Sequence, residues 1–330
     1  MEGQKEYEKK IITKIEGLIK KNNGKQYLNG FYYYLSSDHS YSSIYNYLLH
    51  VISFMDFSGN KSLEQLRLDD YTMFLSKIKN CTQSYQIAVY SALKNFSTYL
   101  VANGNNINNP MQYVKRPRFF EDTTTKEKRE KGFLTGSEIK KYIRTVQEGT
   151  GSSRACARQE RWKDRDMLIV YILLSTGMRC SALYKLNISD IDFSKKKLIT
   201  IDKGGIINEY PLEDMIIDCA LKWMDTRNEI LDGTKEDALF ISNQKTRMDQ
   251  SSISRIVNKY ASSIKGKHIT PHKLRATYAS TIYNETKDLY LTQKCMGHST
   301  PKMTEIYIRG QKDVNRERGL EIMSKNLKFQ

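Results

Sequence analysis

The sequence predicts a mainly α-helical protein with a small β-sheet, divided into two domains. Apolar residues recur at the three- and four-residue spacing of helices along most of the 330 residues. Clear β-branched runs that could pair as strands occur at one place only. A charged segment at 115–132 separates two long blocks with apolar periodicity, and the chain is long enough for each block to bury its own core.

The first block is predicted to be entirely helical. Residues 1–24 form a short lysine-rich amphipathic helix that the sequence "NNGK" ends. In residues 25–114 further helices follow one another, with serines or an Asp pair at their starts and Asn103-Gly104 after the longest one. We therefore expect 1–24 to be a helical extension and 25–114 to be a small helical domain.

The segment at 115–132 reads "KRPRFFEDTTTKEKREKG" and contains seven basic and four acidic residues with almost no apolar periodicity. Such a composition is typical of a linker between globular domains. An exposed basic linker can also lie along a phosphate backbone, and the sequence leaves that role and plain solubility equally open.

The second block, residues 133–330, is predicted to contain both helices and strands. Thr135 and Glu138 have the spacing of a capping box, and a long apolar helix is expected in "RWKDRDMLIVYILLSTGMR". The runs "KKLITI" and "IINEYPL" flank the turn "DKGG" and should pair as a β-hairpin. Helical patterns resume at Leu212 and continue to the C-terminus.

Composition narrows the class of partner. The formal net charge is +16 and the isoelectric point is about 9.4, which favours a polyanion. No apolar run approaches the ~20 residues that span a bilayer, and the N-terminus "MEGQKEYEKK" lacks the apolar core of a signal peptide. We therefore expect a cytoplasmic protein whose partner is nucleic acid and not a membrane.

The cysteines and histidines do not suggest a metal site or a disulfide framework. The five cysteines are scattered without a Cys-x-x-Cys pair, and the five histidines form no paired metal-binding motif. This pattern favours reduced thiols.

Four places in the second block carry polar residues that suggest chemistry. They are, in chain order, Arg179 just after the apolar helix, Lys203 in the hairpin turn, His272 with Arg275 on one helix face, and His298 with Tyr307 in "MGHSTPKMTEIYIR". Each alone has an ordinary explanation, such as a charge that complements a helix dipole, a solvated lysine or a core tyrosine. Together they are complementary at a phosphodiester: guanidinium groups for the phosphate oxygens, proton-transfer groups, and a hydroxyl nucleophile.

The motifs "TGMR", "PHKLR" and "MGH", with a tyrosine downstream, resemble those of the tyrosine recombinase family, which includes phage and transposon integrases and Xer-type recombinases. The order Arg, Lys, His-x-x-Arg, His, Tyr at these spacings is specific, whereas His-x-x-Arg alone would be weak. Residues 25–114 are similar to the core-binding domain of that family, and 133–330 to its catalytic domain. The resemblance implies the two-domain tyrosine recombinase fold and a double-stranded DNA substrate.

The resemblance implies that three residues act on the scissile phosphate. Arg179 and Arg275 would clamp it, and His298 would hydrogen-bond to it. In "TGMRCSAL" the chain departs from the family, which usually has an acidic residue three positions after the first arginine, where Ala182 stands here. The departure puts the orientation of Arg179 in question, because the acidic residue is thought to support that arginine.

The resemblance also implies that Lys203 is the general acid for the departing 5′ oxygen. Lys196 and Lys197 are local rivals, but they are expected to precede the first strand and to lie away from the turn. The hairpin sequence "KGGIINEYPL" lacks the basic residue that the family often has just before "PL", which would weaken DNA contacts there.

Tyr307 is the residue that the resemblance identifies as the nucleophile, with His272 assisting proton transfer. It lies nine residues after His298, as in the family, and follows Thr304 by three positions. The rival tyrosines in this region are Tyr278, Tyr283 and Tyr290. Attack by Tyr307 would give a 3′-phosphotyrosine and a free 5′ hydroxyl. Because this ester retains the energy of the phosphodiester, rejoining would need no ATP. The set of side chains is complete without a metal, so no metal or other cofactor is expected.

The C-terminal segment "DVNRERGLEIMSKNLKFQ" is predicted to be an amphipathic helix. It can pack on its own domain, or it can dock on a neighbouring protomer, as the resemblance implies. We favour docking, which would build a cyclic homotetramer on DNA in which one subunit's activity depends on the next.

The sequence as a whole predicts a site-specific recombinase that cleaves and rejoins duplex DNA at short inverted repeats. Only 24 residues precede the core-binding block, which favours a simple Xer-like, transposon-borne or inverting recombinase. Integration, excision, inversion and resolution remain open. An inactive DNA-binding or accessory protein of the same fold and a type IB topoisomerase are the alternatives.

Overall fold

The computed structural model describes residues 2–118, 132–201, 207–264 and 266–297. Three predicted site residues lie outside these ranges, namely Lys203, His298 and Tyr307. The predicted C-terminal helix also lies outside them. Within the described ranges the protein is mainly helical with one small sheet, so the predicted fold class is confirmed.

The chain divides into two compact units, Met1–Asp122 and Thr123–Gln330. In the first unit the α-helices of the described residues are α1 (Glu2–Lys21), α2 (Tyr27–Ser36), α3 (Tyr41–Phe57), α4 (Leu68–Lys77) and α5 (Gln83–Ala102). Short 3-10 helices occupy Leu63–Gln65 and Pro110–Tyr113.

Side chains at the helix ends explain where the helices of the first unit begin. Ser40 caps α3 by accepting a hydrogen bond from the backbone N–H three residues on, at 3.4 Å, and Thr82 caps α5 in the same way at 3.4 Å. At α4 the Asp70 carboxylate accepts the backbone N–H of Arg67 at 2.9 Å. The helix therefore begins at the predicted Asp pair. Gly104, with φ +76°, follows the end of α5.

Aromatic rings dominate the core of the first unit. The rings of Phe31 and Phe96 meet edge to face with centroids 5.2 Å apart, and those of Phe54 and Tyr71 stack at 4.6 Å. The buried Ile15 brings α1 into the same core. The apolar stripe of the predicted N-terminal helix is thus buried against the helices that follow it.

The second unit combines helices with one sheet. Its α-helices in the described ranges are α6 (Gly136–Glu148), α7 (Ser153–Glu160), α8 (Lys163–Thr176), α9 (Cys180–Leu183), α10 (Asp214–Leu231), α11 (Gln250–Lys259), α12 (Pro271–Thr286) and α13 (Leu289–Cys295). Its strands are β1 (Ile191–Asp192), β2 (Lys197–Ile201) and β3 (Ile207–Pro211), and short 3-10 helices occupy Ile188–Asp190 and Tyr260–Ser263. The predicted capping box of α6 is formed: the Thr135 hydroxyl accepts the N–H of Glu138, whose carboxylate accepts the N–H of Thr135 at 2.8 Å.

The strands form an antiparallel sheet in the order β1-β2-β3. β2 and β3 pair in register from Lys197 opposite Pro211 to Ile201 opposite Ile207, so the predicted hairpin is confirmed. β1 adds two residues to the edge and was not predicted. A strand of two residues is too short to produce a periodic signal.

Helix α8 lies at the centre of the second unit, where it contacts α6, α10, α11 and α12. It begins at Lys163 and ends at Thr176, three residues earlier than predicted, because Gly177 takes a left-handed conformation with φ +59°. Although α8 is strongly apolar, neither it nor any other helix in the described ranges has the length and apolarity needed to cross a bilayer.

A buried carboxylate, that of Asp166, joins α8 to α11. Asp166 is 0% exposed, and its Oδ2 accepts hydrogen bonds from Lys259 at 2.9 Å and from the Tyr260 hydroxyl at 2.7 Å. Its Oδ1 accepts a hydrogen bond from Arg165 at 2.8 Å, and that guanidinium lies over the Trp162 ring, 4.3 Å from its centroid. The buried charge is therefore both paired and hydrogen-bonded, as burial requires.

Between α10 and α11 the chain is irregular at 232–249, although helical patterns were predicted to continue there. Two arginines hold this segment by donating to backbone carbonyls. The buried Arg227 donates from Nε to Ala238 at 3.0 Å, and Arg247 donates to Leu186 at 3.0 Å. Tertiary hydrogen bonds therefore override the local pattern in this segment.

Candidate active site

Arg275, one of the predicted site residues, is held by hydrogen bonds to two backbone carbonyls. It lies on α12 and is 5% exposed. Its Nη2 donates to the backbone carbonyl of Met296 at 2.9 Å, and its Nη1 donates to the carbonyl of Gly177. Because the guanidinium is planar and always charged, two fixed acceptors set the orientation of the whole group.

The start of α12 is fixed by its own sequence. Thr270 is the N-cap, its hydroxyl accepting the backbone N–H of Lys273 at 3.3 Å, and Pro271 is the first helical residue. Two residues after Arg275, the Thr277 hydroxyl accepts the backbone N–H of Leu134 at 2.9 Å. These contacts hold the helix in register, and with it the guanidinium of Arg275.

Gly177 forms the corner between α8 and the segment that carries Arg179. Its φ of +59° favours glycine, and its carbonyl accepts the hydrogen bond from Arg275. A Cβ atom at this position would lie 2.2 Å from Cδ1 of Tyr278. Both the backbone conformation and the closeness of the Tyr278 ring therefore require glycine here.

Arg179 follows this corner and immediately precedes α9. Its side chain is exposed, and its backbone carbonyl accepts the N–H groups of Ala182 at 2.9 Å and of Leu183 at 3.1 Å. The Ala182 side chain is a methyl group, partly buried against the core. It therefore supplies no carboxylate to orient Arg179, in agreement with the departure noted in the sequence.

His272 and Arg275 occupy different environments although they lie one turn apart on α12. His272 is exposed, whereas Arg275 is buried and bound to two carbonyls. The face that the two residues were predicted to share therefore lies at the boundary between the buried and the exposed sides of α12. The imidazole can reach a ligand from solution, while the guanidinium is oriented from within the protein.

The two arginines converge on one backbone corner. Arg179 is two residues after Gly177, and Arg275 is hydrogen-bonded to Gly177 itself. Two arginines attached to one backbone corner, one buried and one exposed, are the residue type that binds the oxygens of a tetrahedral phosphate. Such preorganised positive charge also stabilises the additional negative charge of a pentacovalent transition state.

The segments that adjoin Lys203 and His298 lie close together in the described part of the chain. Strand β3 follows the hairpin turn that contains Lys203, and Gly297 immediately precedes His298. A Cβ atom built on Gly297 would lie 3.8 Å from Oδ1 of Asn208 on β3. The structure therefore brings the hairpin beside the end of α13, while Lys203, His298 and Tyr307 themselves lie outside the described residues.

Of the three tyrosines that rival Tyr307, Tyr278 and Tyr283 have environments that do not suit a nucleophile. Burial, with the neighbouring Cys295 thiol, raises the pKa of Tyr278 to about 12, so its phenolate is disfavoured. Tyr283 is buried. Tyr290 is exposed, and the Lys294 ammonium lies 5.3 Å from its ring centroid.

The lysines that rival Lys203 are held by carboxylates. Lys196 donates to Asp214 at 2.5 Å, and Lys197 donates to Glu209 at 2.8 Å. These hydrogen bonds raise the pKa of both ammonium groups. A raised pKa disfavours proton donation, so neither lysine is well suited to act as a general acid.

Sequence reasoning missed the groups that orient Arg275, which are the backbone carbonyls of Gly177 and Met296. A carbonyl acceptor carries no side-chain signature, so residue types could not reveal it. The one available signal was the glycine of "TGMR", because a glycine at a helix end commonly marks a left-handed corner.

Comparisons with known proteins identify the family of the chain. Residues 133–313 match the model of the phage integrase family. The tyrosine recombinase XerC of Corynebacterium efficiens is 28% identical over 217 residues, which are 66% of this chain and 64% of that protein. The tyrosine recombinase XerS of Streptococcus thermophilus is 31% identical over 170 residues, 50% of this chain and 48% of that protein. The chain thus spans about half to two thirds of the length of these curated relatives.

Among solved structures, the chain is similar in fold to the XerH site-specific recombinase bound to a palindromic difH substrate in a post-cleavage complex. The TM-score is 0.66 with 19% identity, over 85% of this chain and 80% of that one. The predicted tyrosine recombinase fold is confirmed by this similarity. Since the family match covers more than half of the 330 residues, the chain belongs to the phage integrase family, the family of the tyrosine recombinases.

Proposed function

We propose that this protein is a site-specific recombinase that cleaves and rejoins duplex DNA through a 3′-phosphotyrosine intermediate. The observation that carries the proposal is the buried guanidinium of Arg275, oriented by the carbonyls of Gly177 and Met296 beside the corner that leads to Arg179. Its position in a member of the phage integrase family makes the scissile phosphate the appropriate anion.

Arg275 and Arg179 have complementary tasks in this proposal. Arg275 is held rigidly, so it supplies fixed positive charge at the non-bridging oxygens of the phosphate and costs little reorganisation when charge develops there. Arg179 is exposed before the DNA binds, so it closes on the same phosphate from the solvent side. The pair would stabilise the pentacovalent transition state of both cleavage and rejoining.

The remaining roles follow the order of the chain. Tyr307 attacks the phosphorus and forms the 3′-phosphotyrosine, while Lys203 protonates the departing 5′ oxygen. His272 takes the proton of the attacking hydroxyl, and its exposure on α12 leaves it within reach of solvent and substrate. His298 donates a hydrogen bond to the phosphate. The phosphotyrosine ester retains the energy of the phosphodiester, and rejoining follows when the 5′ hydroxyl attacks it and each proton moves in the opposite direction.

The domains and partners follow from the same proposal. Residues 25–114 would be the core-binding domain, 115–132 a basic linker and 133–330 the catalytic domain, with 1–24 as a helical extension. The net charge of +16 would neutralise DNA phosphates. The DNA site would contain short inverted repeats, and four protomers would assemble on it through the C-terminal helix. The protein would act in the cytoplasm, where such DNA is accessible.

A suicide substrate tests the proposal. The full chain is first used to select the duplexes that it binds from a random library, and these are then nicked beside each candidate cleavage position so that the cleaved fragment diffuses away. We expect a covalent protein–DNA adduct that resists denaturation, a free 5′ hydroxyl on the released fragment, and no requirement for ATP.

Two tyrosine variants make the test specific. Tyr307→Phe should bind the selected duplexes normally and form no adduct, while Tyr278→Phe should form the adduct. Absence of an adduct with the wild-type chain on DNA that it binds would indicate an inactive DNA-binding protein. Relaxation of supercoiled DNA without any preferred site would indicate a topoisomerase instead.

A further inference from the structure

Helix α7 presents three arginines on one exposed face. Arg154, Arg158 and Arg161 follow one another at spacings of four and three residues, so they lie within one side of the helix and the turn that ends it. All three are exposed, and none forms an ion pair or hydrogen bond with another residue of the described ranges. We call this surface the α7 arginine face.

The opposite side of α7 is attached to the second unit by small and polar contacts. The Gln159 side chain donates to the carbonyl of Thr150 at 2.7 Å, and the Thr150 hydroxyl meets the Ser262 hydroxyl at 2.8 Å. Cys156 packs against Gly149, where a Cβ atom would lie 3.3 Å away. No residue of α7 is buried. Burial of apolar surface therefore does not account for this helix.

The charge of the arginine face is not cancelled locally. The one acidic residue of α7, Glu160, accepts a hydrogen bond from Lys163 and so is already paired with a cation. Ala157 is also exposed and adds no polar group between the arginines. Three guanidinium groups therefore face solvent with no compensating acid on their own helix.

The spacing of the three arginines fits a phosphate backbone. Seven residues of helix extend about 10 Å from Arg154 to Arg161. Over about 10 Å, a DNA duplex carries roughly three phosphates on each strand. Guanidinium groups are suited to phosphate oxygens because they donate two parallel hydrogen bonds. The face thus matches a short length of one DNA strand in both charge and spacing.

The arginine face cannot be part of the phosphate clamp described above. It precedes the start of α8, whereas Arg179 follows the end of α8, and the 14 residues of that helix extend about 21 Å. Groups at the two ends of this helix are therefore too far apart to bind the same phosphate.

We propose that the α7 arginine face is a second DNA-binding surface of the catalytic domain, which binds the phosphate backbone about 20 Å or more from the scissile phosphate. This inference rests on the proposed function, because it takes duplex DNA as the substrate. The DNA at this surface is either the flank of the duplex being cleaved or a second duplex, and the chemistry of recognition is the same for both.

The salt dependence of DNA binding tests the proposal. The full chain is titrated with a long random-sequence duplex at several salt concentrations, and the slope of log K against log salt is compared between variants. For Arg154→Ala, Arg158→Ala and Arg161→Ala combined, we expect the slope to decrease in magnitude by about 2 to 3, since each phosphate contact contributes about 0.9. The corresponding triple lysine variant should keep most of the wild-type slope.

A matched control removes the same charge from elsewhere in the second unit. Lys222→Ala with Lys235→Ala removes two exposed cations, as does Arg154→Ala with Arg158→Ala. We expect the two arginine substitutions to reduce the magnitude of the salt slope by about 1.8 and the two lysine substitutions to leave it unchanged. Equal slopes for wild type and the triple alanine variant, or equal effects of the two pairs, would overturn the proposal.

The length of the duplex distinguishes the two sources of DNA. If the flank of the cleaved duplex is bound, wild type and the triple alanine variant should have the same DNA affinity on duplexes that end less than about six base pairs from the cleavage position. If a second duplex is bound, the difference persists on short duplexes, and only wild type bridges two labelled duplexes.

The suicide substrate separates this inference from the proposed function. At saturating DNA the triple alanine variant should form the covalent adduct at the wild-type rate, because its chemistry is intact. An inactive wild type would refute the proposed function. An active wild type with an unchanged salt slope in the triple variant would refute this inference alone.

Discussion

Arg275 donates a hydrogen bond from Nη1 to the backbone carbonyl of Gly177, 98 residues earlier in the chain. The bond joins α12 to the corner at which α8 ends, and it uses the residue that we assign to the scissile phosphate. Orientation of the phosphate clamp and stability of the second unit therefore depend on the same contact. Substitutions on its two sides should have separable effects.

Arg275→Lys should impair both stability and cleavage. Lysine carries a single ammonium group and cannot satisfy the carbonyls of Gly177 and Met296 in the same plane. We expect a loss of about 2 to 4 kcal/mol in the free energy of unfolding and at least an about 100-fold slower formation of the covalent adduct at saturating DNA. Urea unfolding and suicide-substrate kinetics measure the two effects.

Arg179→Lys is the matched control for that variant. Because Arg179 is exposed, its replacement should change the free energy of unfolding by less than about 0.5 kcal/mol while still slowing adduct formation. Wild-type cleavage rates in Arg275→Lys would contradict the assignment of Arg275 to the phosphate.

Gly177→Ala should destabilise the protein through two separate costs. A left-handed backbone costs an alanine about 1 to 2 kcal/mol, and contact of its Cβ with the Tyr278 ring adds about 1 to 3 kcal/mol. Gly233→Ala isolates the first cost, because Gly233 has φ +79° with no atom within 4 Å of the added Cβ. We expect about 3 kcal/mol for the first substitution and about 1 kcal/mol for the second, measured by urea unfolding. Equal losses would mean that the ring contact is unimportant.

Tyr278 should contribute to the alkaline stability of the second unit. Its pKa is about 12 in the folded protein against 10.0 for an ordinary tyrosine, because burial and the Cys295 thiol oppose ionisation. A raised pKa stabilises the fold fully below pH 10, and this stabilisation is lost as the pH rises from 10 towards 12. Tyr278→Phe should therefore lose less stability than wild type between pH 8 and pH 11 in urea unfolding. A parallel decline in both proteins would refute the assignment.

Asp166→Asn should be strongly destabilising. The asparagine amide cannot replace the carboxylate that accepts from Arg165, Lys259 and Tyr260, so it leaves the buried Arg165 and the partly buried Lys259 without their counterion. We expect a loss of about 3 to 5 kcal/mol in the free energy of unfolding. Asp225→Asn, at an exposed position on α10, should change it by less than about 0.5 kcal/mol. Similar values for both variants would show that the buried network adds little.

Local patterns predicted the elements whose signals are local. The capping box at Thr135 and the pairing of β2 with β3 depend on neighbouring residues, so they could be predicted from the sequence and are confirmed. Helix α7 was not predicted, because a helix that buries no residue leaves no apolar stripe in the sequence. The irregular segment at 232–249 was missed because distant carbonyls, bound by Arg227 and Arg247, determine its path.

The sequence predicted which residue types form the candidate site, but not how deeply each side chain is buried or what surrounds it. Helical spacing placed His272 and Arg275 on one face, yet burial separates them, and burial depends on what packs against α12. The roles of Lys203, His298 and Tyr307 stay predictions, since these residues lie outside the described ranges. A resemblance supplies the order of catalytic residues along the chain, but only tertiary structure supplies their surroundings.

The acceptors that orient Arg275 belong to the main chain, at Gly177 and Met296. A main-chain acceptor survives any substitution that preserves the local backbone. At Met296 the side chain can therefore vary among apolar residues of similar volume without loss of the contact, whereas Gly177 cannot vary because its backbone angle and the nearby ring forbid it. The two positions that hold Arg275 should thus differ sharply in mutational tolerance: substitutions should accumulate at Met296 and be absent at Gly177.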